Sequence, residues 1–137
     1  MLTRRTMLMS LGALATIADG ASAQPAAPNA RRVFQHDLPT IDLSDWSVTA
    51  VEVAYGPGEG SPAHRHPGIT IAYVLEGSIR SKVGDEPEQT YTAGQMFMET
   101  PEQLHAVSRN ASSSEPAKLL AILLAKKGTP LTTPAKG

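Results

Sequence analysis

The chain has 137 residues, 41% of them apolar, with 12 basic and 13 acidic side chains and no cysteine. That length predicts a single domain, and a net charge of −1 argues against binding to nucleic acid or to an anionic membrane surface. Without cysteine there is no disulfide, no thiolate metal ligand and no cysteine nucleophile.

Residues 1–23 read as a signal peptide. Arg4 and Arg5 precede an apolar stretch from Met7 to Ala18, and Ala21-Ser22-Ala23 supplies small residues of the kind found at cleavage sites. The stretch is about a dozen residues, short of the ~20 that a helix needs to cross a bilayer. The paired arginines are similar to the twin-arginine signal, which exports folded proteins, although an ordinary secretory signal carries the same charge. Either route predicts a periplasmic or secreted chain of 114 residues (137 − 23), with 10 basic and 12 acidic side chains once Arg4, Arg5 and Asp19 are removed.

Residues 24–40 are expected to be a linker or an N-terminal arm, rich in proline and alanine up to Asn29. Its second half, with Phe34 and His36, is expected to form an edge strand or an arm onto a partner subunit. His36 reads as a solvated loop histidine.

From Trp46 the pattern changes to period two. Trp46 to Tyr55 is rich in β-branched and apolar residues and stops at Gly56-Pro57-Gly58, a strong turn signal. Ile69 to Leu75 is nearly continuous apolar, as expected for a strand buried on both faces. Glu76-Gly77-Ser78 predicts a turn and Ile79 to Val83 a strand pairing back as a hairpin. Shorter strands are expected at 89–91, 95–99 and 105–108. A last one spans 118–125, where the length of the run from Leu119 to Leu124 favours a core strand over a helix. The domain therefore spans 41–127, and 128–137 is expected to be a disordered tail. Six or more short strands divided by glycine and proline turns predict an all-β fold, a small double-sheet β-barrel of the jelly-roll kind.

Three of the four histidines carry the chemistry. His64 and His66 flank Arg65, so in an extended chain both imidazoles face one point and make half a metal site. His105 is the candidate third ligand, from a neighbouring strand, although a His-x-His taken alone is more often a turn or surface pair than a ligand pair. By parity Thr70, Ala72 and Val74 follow these histidines inward, while Ile69, Ile71, Tyr73 and Leu75 face the other way.

The spacing resembles the cupin superfamily. Gly58, His64, His66 and Gly77 fall on the first cupin motif, and Gly94 and His105 on the second. Two positions depart from it: Thr70 stands where the first motif has glutamate, and Thr100 and Glu102 stand where the second has proline and glycine. The resemblance implies a cupin jelly roll with a divalent transition metal (Fe, Mn, Cu, Ni or Zn) on His64, His66 and His105. It also implies a homodimer and a small organic ligand or substrate. Two functions follow, a metal-dependent, dioxygenase-like oxidoreductase and a non-catalytic cupin that binds a small ligand or a metal ion; the intact histidine spacing and the twin-arginine pattern favour the first, the missing carboxylate the second.

Other residues near the motifs have blander readings beside the functional ones. Met96 and Met98 share a face and raise copper, but paired methionines on a strand are more often core packing. Arg80 and Lys82 suit an anionic substrate or, more simply, a solvated sheet face. Glu99, Glu102 and Gln103 flank His105 as substitute oxygen ligands, against which stands the usual exposure of loop carboxylates.

Overall fold

The computed structural model describes residues 29–136, so the expected signal peptide and residues 24–28 of the linker lie outside the described residues. Residues from Arg32 onward form one compact unit, and all the strands of the described residues belong to it.

Every regular element among the described residues is a strand. In chain order they are β1 (Trp46–Tyr55), β2 (Gly60–Ser61), β3 (His64–Arg65), β4 (Ile69–Glu76), β5 (Ser78–Val83), β6 (Gln89–Thr92), β7 (Met96–Glu99), β8 (Leu104–Asn110), β9 (Ala117–Lys126) and β10 (Thr133–Pro134). Two antiparallel sheets result, one in the order β1-β9-β4-β7 and the other β10-β3-β8-β5-β6, with β2 also paired to β8. This is the double-sheet all-β architecture that the strand and turn pattern predicts.

Alternation along β9 explains the layering. Leu119, Ala121 and Leu123 are buried between the sheets, while Leu120, Ile122 and Leu124 lie half-buried on the outer face. β4 alternates too: Thr70, Ala72 and Val74 are buried inward, Ile71 and Tyr73 are half-buried, and Leu75 is exposed. The strand is therefore not enclosed on both faces throughout. Its outer side carries apolar residues that remain partly open, and only Ile69, at its start, is fully buried against the expected parity.

The turn at Gly77 does not make a hairpin. β4 pairs with β7 and β9, whereas β5 pairs with β6 and β8 in the other sheet. Gly77 is the corner at which the chain changes sheets: its φ is 66°, and a Cβ there would meet the Pro116 carbonyl oxygen. Only glycine takes this conformation at this proximity without strain. Asn110 secures the same end of the barrel, its amide donating to the carbonyls of Gly56 (3.0 Å) and Glu115 (2.7 Å) while its side-chain oxygen accepts from Ser112 N (2.9 Å).

The C-terminal segment also departs from expectation. Thr133 and Pro134 pair with Arg65 and His64, and Ala135 N donates to Ala63 O at 3.1 Å. The segment's place at the chain terminus predicts disorder; Thr133 and Pro134 are instead held as an edge strand, because β3 presents an open edge that backbone groups can satisfy. The arm at the other end forms no strand, and Phe34 stacks on an exposed His36 with ring centroids 6.4 Å apart.

Candidate metal centre

β3 and β8 set the site. Their register places His64 directly opposite His105, and two residues past His64 the chain is still extended, so His66 points to the same side. Ligand atoms of all three imidazoles lie within 4.8 Å of one another. The His64 ring centroid is 4.9 Å from that of His66 and 4.9 Å from that of His105. The structure thus brings together all three histidines singled out by spacing, and leaves His36 outside.

Hydrogen bonds prepare the rings. His64 Nδ1 donates to Pro62 O and His66 Nδ1 to Leu131 O, each at 2.7 Å. A carbonyl only accepts, so both Nδ1 atoms carry the proton and both Nε2 atoms keep a free lone pair. Thr132 Oγ1 lies 3.3 Å from the same His66 nitrogen. His105 is anchored the other way round, with Nε2 2.9 Å from Ser81 Oγ, leaving Nδ1 toward the cluster. Burial holds the His64 pKa below its ordinary value, and the neighbouring His105 and His66 act in the same direction against the Pro62 hydrogen bond and Glu99. A neutral ring is the ligating form.

A buried carboxylate lies beside two of the three rings. Glu99, the last residue of β7, is 2% exposed, and its Oε1 lies 3.2 Å from His105 Nδ1 and 3.8 Å from His66 Nε2. Three buried side-chain atoms without a hydrogen-bond partner stand out among the described residues: Thr70 Oγ1, Glu99 Oε2 and His105 Nδ1. Thr70, Glu99 and His105 also line one cavity together. Buried polar groups are rarely left unpaired, so orphans gathered in one place, with two further imidazoles offering lone pairs, fit a cation.

The histidines open onto a cavity of about 630 Å³ between the sheets. Its walls are mostly apolar, from Val51, Val53, Leu119, Leu123, Phe97 and Leu131. Tyr55, Ser61 and Ser108 add hydroxyls bonded to each other, Tyr55 Oη to Ser61 Oγ at 2.6 Å and to Ser108 Oγ at 3.1 Å. Among the described residues, no lysine or arginine lines it. Arg80 and Lys82 are exposed on the outside of β5, Arg80 pairing with Glu88 at 3.0 Å.

The remaining candidates sort by strand parity. Phe97 and Glu99 face the cavity, so Met96 and Met98 face away, opposite Tyr73 and Ile71 in the ladder, and the thioether reading loses its basis. Glu102 is exposed, and Gln103 spends its side-chain oxygen on Thr100 N at 2.8 Å. Glu99 lies in a strand and not in a loop, which is why it escapes the exposure expected of a loop carboxylate. Ser81 and the carbonyls of Pro62 and Leu131 were not found by sequence reasoning. Ser81 had a faint signal, a polar residue on the same parity as Ile79 and Val83.

A family model for the cupin domain matches residues 51–123, more than half of the chain. The chain belongs to the cupin family. Solved structures agree on the fold. A Thermus thermophilus protein matches with TM-score 0.52 and 29% identity over 65% of this chain and 81% of its own. An RmlC-like cupin from Shewanella frigidimarina matches with TM-score 0.50 and 22% identity over 59% and 68%. The DMSP lyase DddQ from Ruegeria pomeroyi has TM-score 0.57 and 20% identity over 64% of this cupin but only 43% of the lyase. No match was found among curated proteins.

Proposed function

We propose that this cupin binds one divalent transition metal through His64, His66 and His105 and acts as a dioxygenase-like oxidoreductase on a small, uncharged, largely apolar organic molecule. The observation that carries the reading is the convergence of three imidazoles with ligating nitrogens within 4.8 Å at the wall of an apolar cavity. A bound ion of this kind supplies Lewis acidity toward a substrate oxygen and, where redox-active, a route for dioxygen to react. The chain's own residues do the rest. Val51, Val53, Leu119 and Leu123 exclude water and hold an apolar body, and the Tyr55–Ser61–Ser108 hydroxyls offer hydrogen bonds to a polar substituent. With no lysine or arginine on the wall among the described residues and a carboxylate lining it, a dianionic substrate is disfavoured.

The N-terminal pattern supports export to the periplasm or beyond the cell, and the apolar outer face of the four-stranded sheet supports a homodimer. Metal analysis of the purified protein beside His64→Ala and His105→Ala, followed by oxygen uptake over a panel of diols, flavonoids and β-diketones, tests the function. One equivalent of metal in the wild type, lost in both variants, with oxygen consumed on one panel class, is the expected result. Metal without turnover would favour a cupin that only binds, and absence of stoichiometric metal sinks the metal reading altogether.

A further inference from the structure

We propose that Glu99 is the fourth protein ligand of the metal centre, supplying from β7 the carboxylate that the family spacing places at Thr70. The inference rests on the metal-binding reading above and deepens it.

Register is the first argument. Thr70 and Glu99 are directly opposed partners in the β4–β7 ladder, and both side chains are buried on the inward face. Residues so opposed have Cβ atoms about 5 Å apart, so a glutamate, whose carboxylate stands on two methylenes, reaches from one strand the space its partner would otherwise fill. Thr70 is too short to occupy it, and its hydroxyl is left without a partner.

Distance is the second. Two ligand atoms each about 2.1 Å from one ion, at angles between octahedral and tetrahedral, lie roughly 3.0–3.4 Å apart. Glu99 Oε1 is 3.2 Å from His105 Nδ1 and 3.8 Å from His66 Nε2, so it sits at or just beyond that spacing from two of the three imidazoles.

Charge is the third. Among the described residues, Oε2 of this 2%-exposed carboxylate has no hydrogen-bond partner, and no lysine or arginine lines the cavity to balance it. A carboxylate in such surroundings is costly unless a cation accompanies it. A divalent ion held by three neutral imidazoles gains a counter-charge from Glu99 that histidines alone do not give.

Cobalt(II) titration of the metal-free protein, followed by calorimetry and by the visible absorption of the bound ion, tests this with wild type, Glu99→Gln and the Glu99→Gln/Thr70→Glu pair. Glu99→Gln keeps the shape and removes a buried charge, so the metal-free variant should melt no lower than the wild type. The expected result is at least a 100-fold loss of cobalt affinity, a changed absorption spectrum at saturation, and at least a tenfold recovery when Thr70→Glu restores a carboxylate from the opposite strand. Affinity within threefold of wild type overturns the proposal. So does a weaker complex whose saturated spectrum overlays the wild type, which would make Glu99 a positioning residue for His105. Failure of the wild type itself to bind cobalt would instead bring down the metal reading on which this inference stands.

Discussion

Glu102 holds a left-handed conformation, φ 64°, at the turn position where the family spacing carries glycine. Its backbone is useful there: Glu102 N donates to His66 O at 2.8 Å, and Arg65 donates to the Glu102 carbonyl, so the turn braces the histidine pair. The side chain is exposed and contributes neither of these bonds. A non-glycine residue in this region costs about 1–2 kcal/mol, and replacing it by glycine returns part of that gain as unfolded-state entropy. Glu102→Gly should therefore stabilise the protein by about 0.5–1 kcal/mol, a rise of a few degrees in melting temperature, with unchanged metal binding. A lower melting temperature would show that the glutamate side chain does something its exposure hides.

Among the elements, β10 is the one whose removal should reach the metal centre. It zips onto β3 beside His64, and Leu131, two residues before it in the cavity wall, gives His66 Nδ1 its carbonyl acceptor at 2.7 Å. Partners of this kind fix tautomer and ring orientation, and losing one typically costs roughly 10–100-fold in metal affinity. Deleting residues 131–137 is expected to weaken metal binding by about that factor while the two-sheet fold persists, as circular dichroism would report. An affinity unchanged by the deletion would show that the tail is only an edge strand. The β4–β5 connection illustrates the other side of element-scale reasoning. Its turn signal at Gly77 was legible, but a turn residue specifies a local bend and not the sheet that the next strand enters. The difference between a hairpin and a corner is decided by the strands waiting on either side.

At the scale of the whole molecule, metal and assembly are the two terms to measure. An ion that binds only the folded barrel stabilises it by mass action, about 2.7 kcal/mol when free metal is 100 times its Kd. Added metal should therefore raise the melting temperature by several degrees and excess chelator should reverse the rise; a melting curve indifferent to both would count against the centre. The outer face of the first sheet carries Val48 and Ala50 of β1, Leu124, Ile122 and Leu120 of β9, and Ile71 and Tyr73 of β4 in adjoining register positions, with Val48 64% exposed. Light scattering should accordingly return twice the mass of one chain, and Ile122→Lys should return one.

What the amino-acid sequence by itself determined is local and periodic. The bounds of β1, Trp46 and Tyr55, follow from β-branched alternation running into Gly56-Pro57-Gly58, and β9 from an apolar run too short for a helix. The three histidines were legible because a spacing of two on a strand is a geometric statement, and because the glycines around them mark the same family pattern. What only the tertiary structure decided is which distant backbones lie side by side. The β4–β7 ladder sets Glu99 opposite Thr70, the β3–β8 ladder sets His105 opposite His64, and β10 lays Leu131 against His66. Register across a sheet is chosen by the combined burial of all its strands, a condition no single segment carries. Sequence offers Glu99, Glu102 and Gln103 alike as substitute oxygen ligands beside His105, and only the formed sheet singles out Glu99 by setting it opposite Thr70.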